Sequence, residues 1–220
     1  MSKINAKSLD LARAISEFLT DYAPMHLTNS QHTLHSYETA ITLYIGYLED
    51  ECGIKPAAFS PQCFEQPKIE GWMEWLSNER SCSPQTCNTR LSSFRKFIKY
   101  LSSRNPKYLY LLDEAAKVPL HKKKKKKVSG LTREAVKVLL AEPDTTHKTG
   151  IRDVALMVVL YATAARIDEI LSICIRDLKL DVEKPYVVIV GKGEKVRTLY
   201  LLPKAVAHIR LYIKVFHGKP

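Results

Sequence analysis

The sequence predicts a mainly α-helical protein with one small antiparallel β-hairpin in its second half. Apolar residues recur at helical spacing through the first half of the chain. Further on, the β-branched run Tyr186–Val190 and a second predicted strand, Val196–Leu202, flank the turn residues Gly191–Lys195, which is the pattern of a hairpin. An unbroken lysine run between the two parts is typical of a linker. The predicted organisation is a helical domain over 1–104, a basic linker over 105–130 and a domain with both helices and strands over 131–220.

Four helices are predicted in the first domain, over 8–21, 31–50, 66–79 and 84–103. The fourth follows Ser83-Pro84, a helix-capping residue and then a proline suited to the first turn. The apolar stripe of the first helix is expected at Leu9, Ala12, Ile15, Phe18 and Leu19. The stripe of the fourth is expected at Leu91, Phe94, Phe97, Ile98 and Leu101. Four such helices with short connections form a small all-α domain.

The second domain is expected to begin with a helix over 131–140, capped by Thr132. The segment 150–162 is apolar almost all round, which predicts a buried core helix. A short helix over 166–173, the hairpin and a last helix over 203–216 complete the prediction.

The net charge of +11 is unevenly distributed. Residues 80–112 contain seven basic residues and no acidic one, and six consecutive lysines follow. A one-sided field of this kind suits double-stranded DNA or another polyanion, although basic patches also serve membranes and acidic proteins. The run consists of Lys122, Lys123, Lys124, Lys125, Lys126 and Lys127.

Other classes of protein are disfavoured. The sequence has no apolar stretch of membrane-spanning length and no apolar signal core, which favours a cytoplasmic protein. The five cysteines are odd in number and lack Cys-x-x-Cys spacing, so neither a disulfide framework nor a structural zinc site is expected.

The fourth helix supplies candidate DNA contacts. Basic and polar side chains there could meet one face of a duplex, while the lysine run neutralises phosphates along it. The alternatives are a solvated helix face and a tail-like segment or localisation signal. The candidates on the helix are Thr86, Asn88, Arg90, Arg95, Lys96 and Lys99.

Three segments of the second half resemble the tyrosine recombinase (phage integrase) family. Leu131–Leu140 (LTREAVKVLL) looks like the opening helix of its catalytic domain. Arg152–Leu171 (RDVALMVVLYATAARIDEIL) is similar to its first motif box, and Val188–Arg197 (VIVGKGEKVR) resembles its second. The first half resembles the family's core-binding domain, a four-helix, SAM-like module. The resemblance implies that the second half is the first part of an α+β catalytic domain.

The resemblance also implies roles for individual residues. Arg166 would grip the scissile phosphate, because a guanidinium can bind two phosphate oxygens and stabilise the charge that builds there. Glu169, one helical turn later, would orient Arg166. Lys192 in the hairpin turn would be the general acid that protonates the leaving 5′-oxygen, with Lys195 and Arg197 contacting phosphates. The alternatives are an ordinary ion pair for Arg166, a surface glutamate and a solvated turn lysine.

The sequence departs from the family in two ways. No His-x-x-Arg box and no suitably placed nucleophilic tyrosine follow the second box, since Tyr212 lies in the last predicted helix. Ala164 also stands where the family usually has glycine; if that turn needs a positive φ, alanine costs about 1 kcal/mol. The chain is therefore expected to bind DNA without cleaving it.

The family's reaction passes through a 3′-phosphotyrosyl intermediate and needs no metal or other cofactor. A monomer is expected for this chain, and a tetramer on DNA for a full-length parent. Two further interpretations remain open, a shortened DNA-binding regulator and a helical protein-interaction domain whose basic patch meets an acidic partner.

Overall fold

The computed structural model describes residues 6–122, 129–191 and 193–218. The chain divides into two compact units, Met1–Lys126 and Lys127–Pro220, and each is described by itself. In the described part of the chain, no helix combines the length and apolar character needed to cross a membrane.

The first unit is helical. Helix α1 (Ala6–Glu17) continues as a π-helical segment (Phe18–Leu27), in which the Thr28 N–H bonds the Ala23 carbonyl at 3.1 Å. Helices α2 (Gln31–Asp50), α3 (Gln66–Asn78) and α4 (Pro84–Arg104) follow, with short 3₁₀ turns at Pro56–Ala58, Pro61–Phe64 and Pro106–Tyr108. The predicted α2, α3 and α4 are confirmed to within one residue at either end, and the Ser83 hydroxyl caps α4 by accepting from the Thr86 N–H.

Aromatic side chains fill the core of the first unit. The rings of Tyr44 and Phe94 lie 4.3 Å apart between centroids, and Trp72 meets Tyr44 edge-on at 5.1 Å. The predicted apolar stripe of α4 is buried throughout. Such tilted and edge-on pairs add to the apolar area that the rings remove from water.

Two predictions for this unit are wrong. The face of α1 is rotated, because Leu11 is buried whereas Leu9 is 53% exposed and Ala12 is exposed. The predicted linker 105–130 includes a fifth helix, α5 (Tyr110–Lys117), which buries Leu111 and Ala115 against the same core. The folded part of this unit therefore extends well past residue 104.

The second unit combines helices with a small sheet. Helices α6 (Arg133–Ala141), α7 (Lys148–Thr163) and α8 (Ile167–Leu171) come first, followed by a 3₁₀ turn (Ile175–Asp177). Strands β1 (Leu178–Lys179), β2 (Tyr186–Val190) and β3 (Val196–Tyr200) form an antiparallel sheet in that order, and α9 (Pro203–Phe216) packs on α7. The hairpin, the last helix and the Thr132 cap of α6 are confirmed, whereas β1 was not predicted.

The expectation that α7 is buried all round is only partly met. Val154, Ala155 and Val159 are buried, but Tyr161 is 60% exposed. The described core of this unit gathers Val159 with the inner residues Val187 and Ile189 of β2 and with Ile209 of α9. The core thus fixes α7 and the hairpin side by side, which positions the site described next.

Candidate phosphate-binding site

A tight turn after α7 sets the backbone of the site. Ala164 adopts a left-handed conformation with φ 49° and ψ 26°, and its N–H bonds the Leu160 carbonyl at 2.9 Å. The Thr163 hydroxyl accepts from the next N–H, that of Ala165, at 3.3 Å. The turn therefore needs a positive φ, as the sequence comparison with the family's glycine suggested, and it leads directly into Arg166 at the start of α8.

Glu169 is the buried centre of the site. Its side chain is only 6% exposed, and both carboxylate oxygens are engaged. Oε2 accepts from the Arg166 backbone N–H at 2.8 Å and from Arg197 Nη2 at 2.6 Å, while Oε1 accepts from Arg166 Nη1 at 3.0 Å. One carboxylate thus joins the turn before α8 to strand β3.

These contacts keep Glu169 ionised. The hydrogen bond from the Arg166 backbone N–H lowers the pKa of Glu169, and the Arg166 guanidinium and the charge of Arg197 act in the same direction. Burial opposes them but does not prevail. The three side chains together carry a net charge of about +1 at neutral pH.

The two arginines keep much of their surface in solvent. The side chains of Arg166 and Arg197 are 68% and 40% exposed. Exposed and half-buried residues alternate along β3, and Arg197 is one of the half-buried ones. It pairs with Ile189 across the hairpin, so it lies on the inner side of the strand. Guanidinium groups held in this way can offer their remaining N–H donors to an anion with paired oxygens, such as a phosphodiester.

The hairpin turn lies beside the carboxylate. The Gly191 N–H bonds the Lys195 carbonyl at 2.8 Å, and a Cβ built on Gly191 would lie 2.9 Å from Glu169 Oε1. Gly193 has a left-handed φ of 74°, and Lys195 is exposed. Lys192, the predicted general acid, lies outside the described residues.

Two polar residues of α4 have structural contacts instead of a solvent-facing position. Asn88 is buried; its amide donates to the His121 carbonyl at 2.9 Å and accepts from the His121 N–H at 2.8 Å. The Arg95 guanidinium donates to the carbonyls of Ala115, Ala116 and Val118 at the end of α5, at 2.6–3.2 Å. Their prediction as DNA contacts is therefore corrected, because these donors and acceptors are already used to hold the chain that leads to the lysine run.

The other predicted contacts of α4 differ in exposure. Lys96 and Lys99 are exposed, whereas Thr86 is half-buried and its hydroxyl lies 2.9 Å from that of Ser83. Arg90 is half-buried, and its Nε and Nη1 are buried without a hydrogen-bond partner among the described residues. Of the lysine run, Lys122 is exposed and Lys123–Lys127 lie outside the described residues.

Comparison with known proteins shows which family the chain resembles. Residues 129–218 match the sequence model of the Phage integrase family. Tyrosine recombinase XerD of Listeria monocytogenes is 27% identical over 185 residues, covering 84% of this chain and 59% of the relative. Tyrosine recombinase XerC of Chlamydia caviae is 26% identical over 208 residues, covering 88% of this chain and 64% of the relative. The chain is thus similar to tyrosine recombinases, and its residues 129–218 match the Phage integrase family. It spans about three fifths of the length of these two relatives.

Solved structures of tyrosine recombinases share the fold. One is the XerH site-specific recombinase bound to its difH substrate, a pre-cleavage complex. The structural match covers 96% of this chain and 68% of the XerH chain, with a TM-score of 0.65 at 17% sequence identity. Another is the Tn1549 transposon integrase in complex with a circular-intermediate DNA. Here the structural match covers 94% of this chain and 67% of the integrase chain, with a TM-score of 0.61 at 14% sequence identity.

The predicted pairing of Arg166 with Glu169 is present, but the contribution of β3 was missed. Arg197 was expected only as a phosphate contact, and its bond to Glu169 spans 28 residues of sequence. A signal was available, because an arginine at an inward-facing position of a short strand requires a buried acceptor. No comparable signal marked Gly191.

Proposed function

We propose that this chain is the DNA-binding part of a site-specific tyrosine recombinase, in which Arg166 binds the scissile phosphate. The observation that carries the proposal is the buried carboxylate of Glu169, which holds Arg166 and Arg197 together while both guanidinium groups remain partly exposed. One arginine would be enough to neutralise the Glu169 carboxylate in a purely structural ion pair. The second arginine leaves an excess positive charge at a defined place.

The chemistry of phosphodiester cleavage supports this role. Attack on the phosphorus increases the negative charge on the non-bridging oxygens, and a fixed guanidinium stabilises that charge without reorganising. In the parent reaction a tyrosine would displace the 5′-oxygen, forming a 3′-phosphotyrosyl bond and a 5′-hydroxyl, with Lys192 supplying the proton. A second 5′-hydroxyl would reverse the step, so no external energy source is needed.

The 220-residue chain itself is proposed to bind DNA without cutting it. Its sequence contains no His-x-x-Arg box after the hairpin. Tyr212, the tyrosine nearest the end, stacks on Phe216 within α9 with ring centroids 4.9 Å apart, where it serves packing. Cleavage would need a tyrosine and a second phosphate-binding arginine from residues other than these.

Duplex DNA is the proposed partner. The relatives of known structure named above were captured on DNA. In this chain Lys96, Lys99 and Lys122 of the first unit and Lys195 of the second are exposed and would add contacts to the phosphate backbone. A recombinase of this kind would act in the cytoplasm, where we also expect this chain to be a monomer in the absence of DNA.

The test is the affinity of the chain for duplex DNA across a salt series. Each phosphate contact contributes about 0.9 to the slope of log affinity against log salt. Replacing Arg166 with alanine should lower the slope by about one, and replacing Lys122–Lys127 with alanine should lower it by up to about five. Arg210→Ala is the matched control, because it removes the same charge from an arginine that pairs with exposed Asp181.

The outcomes separate the candidate functions. A slope reduced by Arg166→Ala and unchanged by Arg210→Ala supports the proposal. Absence of binding by the unaltered chain at low salt would refute it and favour a protein-interaction domain.

A further inference from the structure

Glu169 has more partners than a simple orienting carboxylate requires. Its Oε1 bonds Arg166 Nη1, and its Oε2 bonds both the Arg166 backbone and Arg197 Nη2. In the described part of the chain, the Arg166 guanidinium therefore contacts Glu169 through a single nitrogen. Its other donors meet no acceptor among the residues that the structure describes, and they are available to a phosphate.

Arg197 prevents a tighter pairing of Glu169 with Arg166. A carboxylate and a guanidinium prefer two parallel hydrogen bonds, which would use both oxygens and two nitrogens of Arg166. Such a fork would also neutralise Arg166 at the place where positive charge is needed. Because the Arg166 backbone N–H and Arg197 Nη2 together occupy Oε2, at 2.8 and 2.6 Å, only Oε1 is left for the Arg166 side chain.

Gly191 supplies the space in which Oε1 lies. A methyl group at this position would lie 2.9 Å from Oε1, so the end of the Glu169 side chain would have to move. The backbone of Gly191 is not in the left-handed region, and an alanine there is not strained by its φ. The Gly191→Ala change therefore displaces the oxygen that holds Arg166 and leaves the hairpin backbone intact.

We infer that Arg197 and Gly191 are positioning residues for Arg166, both acting through Glu169. Arg197 holds one oxygen so that Arg166 is bound through one nitrogen, and Gly191 leaves room for the other oxygen. The inference rests on the proposed function, since it concerns how Arg166 is presented to a DNA phosphate. If Arg197 were a simple phosphate contact, it would act independently of Arg166. As a positioning residue, it affects DNA binding only through Arg166.

A double-mutant cycle on DNA affinity tests the inference. The variants are Arg166→Ala, Arg197→Ala and the double variant, each compared with the unaltered chain at one low salt concentration. Loss of a charged hydrogen bond to phosphate should weaken binding about ten-fold for Arg166→Ala. Arg197→Ala should weaken binding by a similar factor in the unaltered chain but by much less once Arg166 is absent, because residues in one network are not additive.

Two further variants guard against a folding defect. Arg197→Lys keeps a charged donor for Oε2 and should restore most of the affinity that Arg197→Ala loses. Gly191→Ala should weaken binding only when Arg166 is present, whereas Gly130→Ala, which meets nothing within 4 Å, should have no effect. Circular dichroism and the urea midpoint of each variant report on the fold separately from DNA affinity.

Each outcome decides a different question. Coupled losses, with rescue by Arg197→Lys, support the inference. Additive losses, with Arg197→Ala costing the same with or without Arg166, would overturn it and leave Arg197 as an independent phosphate contact. If the unaltered chain does not bind DNA, the proposed function fails and the inference fails with it.

Discussion

Replacing Ala164 with glycine should stabilise the second unit. Ala164 has φ 49° and ψ 26°, a conformation that costs an L-residue about 1–2 kcal/mol because its Cβ approaches the following carbonyl. Glycine relieves that strain but gains freedom in the unfolded chain, which costs about 0.5–1 kcal/mol. The Ala164 side chain is exposed, so no burial is lost. The net increase in the free energy of unfolding should be about 0.5–1 kcal/mol.

Urea unfolding followed by far-ultraviolet circular dichroism measures this change. The matched control is Ala162→Gly, two residues earlier and inside α7, where glycine should cost about 0.5–1 kcal/mol. The two substitutions are chemically identical and should have opposite signs. If Ala164→Gly destabilises the chain as Ala162→Gly does, the left-handed turn that leads into Arg166 is not present in solution.

Three other predictions concern stability. Asn88→Ala should lower the free energy of unfolding by about 1–3 kcal/mol, because the partly buried N–H and carbonyl of His121 lose their partners. A loss in urea unfolding no greater than that of exposed Thr89→Ala would contradict this. The pKa of Glu169 is lowered in the folded chain. The ionised carboxylate therefore stabilises the folded chain fully at pH values above the ordinary glutamate pKa of 4.5, and this stabilisation is lost as the pH falls through the folded pKa. The difference in stability between the unaltered chain and Glu169→Gln should therefore shrink as the pH is lowered below 4.5, and a difference independent of pH would be inconsistent with an ionised, hydrogen-bonded carboxylate. Gly150→Ala should destabilise the second unit by about 1–3 kcal/mol, because its Cβ would lie 1.9 Å from a backbone carbonyl oxygen; Gly130→Ala, in open space, is the control, and equal urea midpoints would refute the close approach.

The helices whose apolar residues form one clear stripe could be predicted from the sequence. Helix α4 has its stripe and its Ser83 cap, and both are as expected. In helix α1, Leu9 and Leu11 lie on different faces, so the sequence is compatible with two different apolar stripes. Only the contacts with other helices determine that Leu11 is the buried residue. Helix α5 was missed because its eight residues follow a proline turn and lead into a charged segment that is typical of a linker.

Polar residues with distant backbone partners could not be assigned from the sequence. Asn88 and Arg95 lie on a basic helix and resemble DNA contacts, but their acceptors come 20–33 residues later. The candidate site shows the same contrast. Arg166 and Glu169 are one turn apart and were predicted together, whereas the bond from Arg197 depends on how the hairpin packs beside α8.

The most direct test of the central claim is the nuclear magnetic resonance signal of each arginine side chain during a titration with duplex DNA. The Nε–Hε signals of Arg166 and Arg197 should shift as DNA is added and return when salt is raised. The signal of Arg95 should stay in place, because its Nε–H already donates to the Ala115 carbonyl. If DNA binds through the lysines while the signals of Arg166 and Arg197 do not move, the buried Glu169 and its two arginines do not form a phosphate-binding site.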